Sequence, residues 1–107
     1  MKRIDAFIKT HRLEKVSLAL HHVRGFQCMT VAEVRGFGRE DAPEWDPADF
    51  HEVTRLEIFC PDELAEQIVT TIERAAHTGL EGDGKIYVST VDMAVRISTG
   101  ERGEGAV

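Results

Sequence analysis

A change of hydrophobic period that occurs twice constrains this chain most. Lys2 to Lys9 alternates, with Ile4, Ala6 and Ile8 on one side and Arg3, Asp5 and Phe7 on the other. That period of two is the mark of a strand with one buried face. The period then lengthens. Leu13, Val16, Leu20 and Val23 recur at helical spacing among polar residues and predict an amphipathic helix over Arg12–Val23, stopped by Gly25. The switch comes again downstream, where Thr54–Cys60 (TRLEIFC) alternates and Pro61-Asp62-Glu63 opens a second helix. Proline suits a first helical turn, and acids suit the positive end of the dipole. Leu64, Ile68, Ile72 and Ala75 or Ala76 mark that helix's buried stripe. Cys28–Phe37 reads as a strand between the two halves, with Val31 and Glu33 on one face and Thr30, Ala32 and Val34 on the other. Lys85–Ser89 and Ala94–Ser98 read as short strands after the second helix. The order β-α-β-β-α-β, with a small extra strand, predicts an α+β, ferredoxin-like sandwich whose antiparallel sheet carries two helices on one face. Many unrelated functions use this frame, so function must be sought in what is attached to it.

At 107 residues one domain is expected. A domain of that size buries only about two thirds of its unfolded surface, so oligomerisation would help it. The net charge of −6 argues against a nucleic-acid binder, which needs a basic face. The acidity is local. Glu40–Glu52 (EDAPEWDPADFHE) holds six acids, no Lys or Arg, two prolines and Trp45, and without those acids the chain is formally neutral. So long a segment between two strands predicts a functional loop. Trp45 is either solvated there or a docking anchor for a partner. Met1 leads into charged residues, and no apolar run approaches the roughly 18 residues of a membrane span, so a cytoplasmic protein not inserted in a membrane is expected. Cys28 and Cys60 form no CxxC pair and read as buried thiols in a reduced compartment, with a redox pair only if their strands are neighbours. His11, His21, His22, His51 and His77 read as surface residues rather than a metal set, since adjacent helix positions do not face one another.

The segment that points to chemistry is Thr78–Lys85 (TGLEGDGK). Three glycines in six positions admit positive φ and let the backbone approach a ligand. Successive N–H groups in such a turn form an anion-binding nest, and Lys85 adds a point charge suited to phosphate. The motif is not a Walker A sequence, which requires GxxxxGK[ST] between strand and helix. Taken alone it is weak evidence for a ligand and reads first as a structural turn. Asp83 reads as a turn former that shapes the loop rather than a ligand contact.

The chain resembles the PII signal-transduction proteins of nitrogen regulation. The matching stretches are Met1–Lys9 (MKRIDAFIK), Thr30–Arg39 (TVAEVRGFGR), Leu56–Ile58 ahead of Pro61-Asp62, Thr78–Val88 (TGLEGDGKIYV) and Val95–Glu101 (VRISTGE), in the family's order. The resemblance implies a single PII-like domain over 1–107 that forms a homotrimer with nucleotide clefts between subunits. One subunit supplies the glycine-rich B-loop (about 77–85) and its neighbour the C-terminal loop (about 96–107). The effector T-loop (about 37–53) docks on a transporter or enzyme. The nucleotide-binding positions implied are Phe7, Thr30 and Phe59 near the adenine, and Gly38, Arg39, Gly82, Asp83, Gly84, Lys85 and Arg96 near the phosphates, with Arg102 as a further cation. Glu40, Trp45 and Phe50 are implied in partner binding through the T-loop.

Departures from the family pattern qualify these expectations. The T-loop tyrosine is absent, since Tyr87 is the sole tyrosine. Glu40 stands where the family has a glutamine, Val53 where it has a lysine, and Ser98 where it has a second phosphate-binding arginine, and the T-loop is shorter. A carboxylate for an amide and a lost lysine disfavour a dicarboxylate such as 2-oxoglutarate. A lost arginine disfavours a triphosphate. The expectation is therefore a PII-like paralogue favouring ADP or AMP over ATP, with ATP and bicarbonate as further ligands to test and no tightly bound metal. A role in inorganic-carbon regulation, as in carboxysome-associated paralogues, would suit the altered loop. The alternatives are a conventional nitrogen-regulatory PII acting on ammonium transport or glutamine synthesis, and a metal-responsive CutA-like trimer. No nucleophile–base–orienter set is visible, so an enzyme is not expected.

Overall fold

The computed structural model describes residues 1–38 and 50–107. Four strands, β1 (Lys2–Ile8), β2 (Thr30–Gly36), β3 (His51–Cys60) and β4 (Gly84–Thr90), form one sheet in the order β2-β3-β1-β4. Every neighbouring pair is antiparallel. Helix α1 (Leu13–His21) joins β1 to β2, and α2 (Asp62–Ala76) joins β3 to β4. This is the ferredoxin-like order the two period switches predict.

Both helices cover the same sheet face because both hydrophobic periods point there. Ile4, Ala6 and Ile8 of β1 and Leu56, Ile58 and Cys60 of β3 meet Val16 and Leu20 of α1 and Ile68 and Ile72 of α2 in one buried core. Full burial of a side chain such as Ile68 contributes about 1.5–3 kcal/mol. Ala65, Ala75 and Ala76 are buried too, and their small size lets α2 lie close to the sheet. Leu13 and Leu64, at the margins of the two stripes, are only partly buried.

The other face is charged. Asp5 lies directly opposite Glu57, a like-charge cross-strand pair that would be unfavourable alone. Two arginines on the same face resolve it. Arg3 Nη2 lies 3.0 Å from Glu57 and Arg55 Nη2 lies 3.1 Å from Asp5, with Arg55 also 2.8 Å from Glu57.

Several boundaries differ from the sequence reading. Helix α1 ends at His21, and Val23 is buried in the turn that follows. Strand β2 starts at Thr30 rather than Cys28, which leaves Cys28 exposed and not buried as expected. Cys60 is buried, and burial raises its thiol pKa. Strand β3 begins at His51, inside the segment predicted for the long loop, because His51–Val53 pair with Val34–Gly36. Ala94–Ser98 does not form a strand. It has no partner strand among the described residues, and Gly100 at φ +73° turns the chain back so that only Val95 and Arg102 make a bridge. The tail that its glycines predict to be flexible is folded there into a tight hairpin. Arg96 N–H donates to Glu101 O at 2.8 Å, Gly100 N–H to Arg96 O at 2.8 Å and Gly103 N–H to Ala94 O at 2.9 Å.

Candidate ligand-binding site

The glycine-rich turn sits at one end of the sheet, where Ile8 of β1 faces Gly84 of β4 and Thr54 of β3. Gly84 has φ +110°, and a Cβ there would lie 1.7 Å from the Phe7 carbonyl oxygen, so β4 can start this close to β1 only as glycine. Gly79 and Gly82 also take positive φ, at +84° and +80°. Asp83, between the last two glycines of the turn, engages its carboxylate with donors on both sides of it. It accepts the Thr78 amide at 2.8 Å and the Thr78 hydroxyl through a short hydrogen bond, and Lys9 Nζ lies 3.2 Å away. These bonds, the Thr78 hydroxyl foremost, then its amide and then Lys9, hold Asp83 well below the usual carboxylate range. His77, largely exposed, brings Nδ1 to 3.6 Å from the same carboxylate. Asp83 is thus engaged within the loop, the geometry of a turn former.

On the open side of the sheet a groove of about 460 Å³ runs along this turn, bounded by Phe7, Gly36, Val53, Gly82, Asp83 and Lys85, with Gly38 at its edge. Phe7 and Tyr87 meet edge to face at 6.2 Å across its floor, and Lys85 stands opposite Phe7 in the register. A flat aromatic body beside backbone N–H groups and an ammonium is chemically suited to a ligand with a planar ring and an anionic end. Among the described residues Lys85 makes no ion pair.

The remaining predicted residues lie elsewhere. Thr30 opens β2 opposite Glu57, and Phe59, 47% exposed, stands opposite Arg3. After β4 the chain is tied by Val91 N–H to Met1 O at 3.0 Å, and the hairpin with Arg96 and Arg102 follows. Val107 then reaches the hollow between Phe59, Pro61 and Leu64. Thr30, opposite Glu57 and so level with Asp5 and Tyr87, lies midway along the sheet, whereas Phe59 and the hairpin belong to the end that carries Lys2, Cys60 and Thr90. Six residue steps of β4 at about 3.3 Å each place it about 20 Å from Gly84. The predicted site is therefore split. Phe7, Gly38, Gly82, Asp83, Gly84 and Lys85 gather at one end, Phe59, Arg96 and Arg102 at the other, and Thr30 lies between them. Phe50 packs against Phe37 at the root of the long loop, with ring centroids 5.5 Å apart. Arg39, Glu40 and Trp45 lie outside the described residues.

The residues that sequence reasoning missed are Lys9 and the Thr10–Thr54 pair. Lys9 is 74 positions from Asp83, so no local spacing announces their contact. Thr54 is the buried polar residue of the core, and its hydroxyl donates to Thr10 Oγ1 at 3.0 Å. Among the described residues no group of three His, Cys, Asp or Glu side chains is placed to hold a metal ion, and no helix is long and apolar enough to cross a membrane.

The fold and the turn together define a ferredoxin-like domain with a glycine-rich turn at one end of its sheet. The chain belongs to the nitrogen regulatory protein P-II family, whose model matches residues 1–101. It is 42% identical to nitrogen regulatory protein P-II of Azospirillum brasilense, 44% to that of Bradyrhizobium diazoefficiens and 43% to nitrogen regulatory protein P-II 1 of Escherichia coli K12, with all of both chains covered each time. The crystal structure of Arabidopsis thaliana PII bound to citrate is similar with a TM-score of 0.84 at 36% identity, over 99% of this chain and 91% of that one. The alignment with the Azospirillum protein spans 114 positions against the 107 residues here, so this chain lacks seven of the aligned positions. The family and these relatives are named as regulatory proteins, which sets the chain in a family of signal transducers. The CutA-like alternative gives way to this family.

Proposed function

We propose that the chain is a nitrogen-regulatory signal transducer that binds an adenine nucleotide in clefts between the subunits of a homotrimer. It reports their occupancy to a transporter or enzyme through the acidic loop, in the cytoplasm. One observation carries the reading: two sets of residues implied for one ligand, Phe7 with Lys85 and Phe59 with the Arg96 hairpin, lie at opposite ends of the sheet, about 20 Å apart by strand rise. A ligand of nucleotide size meets both sets only if the glycine-rich end of one subunit abuts the hairpin end of the next. The fully turned-out Ile97, 98% exposed beside Arg96, supports that assembly, because a tip of this kind gains by packing on a neighbour.

ADP or AMP is the preferred ligand in this proposal. Ser98 leaves the phosphate end one arginine short, which weakens the hold on a triphosphate by about 1.5–3 kcal/mol where no other cation replaces it. Val53 lines the groove at the loop root and offers an apolar wall where a dicarboxylate would need a cation. The relatives' names favour nitrogen regulation over inorganic carbon, for which no observation speaks. Calorimetric titration of ATP, ADP, AMP and cyclic AMP, each with and without 2-oxoglutarate or bicarbonate, tests the proposal. Citrate belongs in the same panel as a competitor, since the Arabidopsis relative is bound to it. ADP or AMP should bind more tightly than ATP, with no gain from 2-oxoglutarate. Cooperative binding of Mg-ATP with 2-oxoglutarate would overturn the ligand preference, and no binding of any adenylate would overturn the site.

A further inference from the structure

The geometry points to Lys9 as the positioning residue that makes the glycine-rich turn receptive to anions, acting through Asp83 without touching the ligand. The inference rests on the reading of Gly82–Lys85 as an anion cradle. Asp83 poses a problem for that reading, because it puts a carboxylate between the N–H groups that would face a phosphate. A free carboxylate there repels an anion, and it can also turn outward and take those N–H groups for itself.

Two contacts answer both difficulties. Thr78 grips the Asp83 carboxylate from one side with its amide and hydroxyl. Lys9 closes the other side, with Nζ 3.2 Å from Asp83 Oδ1 and 3.4 Å from Thr78 Oγ1. Thr78 Oγ1 also accepts the Leu80 amide at 3.2 Å, so the same cluster fixes the first half of the turn. The Lys9 stem lies beneath Gly82, its Cε 4.0 Å from where a Cβ would stand. Both side chains are mostly covered, at 25% and 22% exposure, so the pair is less screened than a surface ion pair.

Lys9 is itself held from three directions. Its carbonyl accepts the Arg12 amide at 2.9 Å. The next residue, Thr10, is bonded to the buried Thr54 hydroxyl. Arg12 Nη2 donates to Ala75 O at 2.6 Å, on the last turn of α2 just before the loop. The β1–α1 connection therefore fixes the ammonium in place before any ligand arrives. It neutralises the carboxylate where Asp83 borders the groove and keeps both of its oxygens engaged by donors of the turn's own frame.

Titration of ADP and of adenosine into wild type, Lys9→Met, Lys9→Arg and Lys9→Met/Asp83→Asn tests this. Loss of a charged contact should weaken ADP about tenfold or more in Lys9→Met. Adenosine, which has no phosphate to repel, should be unaffected. Lys9→Arg should restore ADP affinity, and the double variant should bind ADP better than Lys9→Met because the stranded carboxylate is gone. Equal losses for ADP and adenosine, or a double variant weaker than Lys9→Met, would overturn the assignment. Amide hydrogen exchange gives an arm independent of any nucleotide: Thr78 and Leu80 should exchange faster in Lys9→Met and return toward wild type in Lys9→Arg. Unchanged exchange sinks the inference even if ADP binds, whereas failure of wild type to bind ADP sinks only the nucleotide reading. Should Lys9→Met not fold, Lys9→Gln and Thr78→Val against Thr78→Ser carry the same comparisons.

Discussion

The two ends of the sheet are built on different terms. At the glycine-rich end the turn is closed by contacts within the chain: Gly84 lies against Phe7, Asp83 is gripped by Thr78 and Lys9, and Arg12 closes the end of α2, while Lys85 is left without an ion pair among the described residues. At the hairpin end the backbone is internally bonded, but Ile97 is turned out and neither Arg96 nor Arg102 makes an ion pair among the described residues. The turn at the first end is closed by folding, and the second presents groups that, on the proposed reading, meet a neighbouring subunit. A change at the first end should therefore be felt in stability, and a change at the second in binding.

The largest effect expected is that of Gly84→Ala. The new Cβ would sit 1.7 Å from a backbone oxygen that no rotamer change can move, at a φ of +110° that L side chains rarely adopt. The strands must separate at their start, and a loss of more than about 3 kcal/mol of stability follows, at the exceptional end of single-residue changes. Urea denaturation monitored by circular dichroism measures it. A loss under about 1 kcal/mol would mean that the β1–β4 end is not the rigid half described here.

Arg96→Ala should do the reverse. Its side chain is exposed and has no charged partner among the described residues, so stability without ligand should change by no more than about 0.5 kcal/mol. ADP affinity should fall about 10- to 100-fold if the arginine completes a neighbour's cleft. Calorimetry and denaturation on the same preparation separate the two readouts. A destabilised protein with normal binding would invert the contrast between the ends.

Legibility in the sequence followed the range of the forces involved. The strands and helices were readable because burial repeats at fixed local spacing: Ile4, Ala6, Ile8 and Ile68, Ile72, Ala76 occupy the core as their periods require. Ala94–Ser98 has the same local pattern without the partner strand that would realise it, so alternation there overstated the strand. The glycine-rich turn announced itself by composition. The residues that hold it did not, because Lys9 and Thr54 meet their partners only through the register of β1 with β3 and β4. The split of the predicted site also follows from register, which fixes Phe59 opposite Arg3 and Lys85 opposite Phe7, and no motif encodes that.

The smallest effect concerns acid. Asp83 has a folded-state pKa below that of a free carboxylate, mainly because Thr78 donates to it and secondarily because of Lys9. A depressed carboxylate pKa stabilises the folded turn fully above the unfolded value of about 3.9, and that contribution is lost as the pH falls through the lower folded value. Between pH 7 and pH 4 the turn should therefore hold its shape, and the Thr78 amide resonance should move only below the usual carboxylate range. The group is near solvent, so this loosening is local and should precede global unfolding. Asp83→Asn should remove the acid transition while leaving an amide oxygen to accept from Thr78. A Thr78 resonance that titrates at or above about pH 4 would mean that the carboxylate is not held by these donors. The preorganised end would then be less finished than its contacts indicate, and the difference between the two ends of the sheet would shrink to the strained glycine alone.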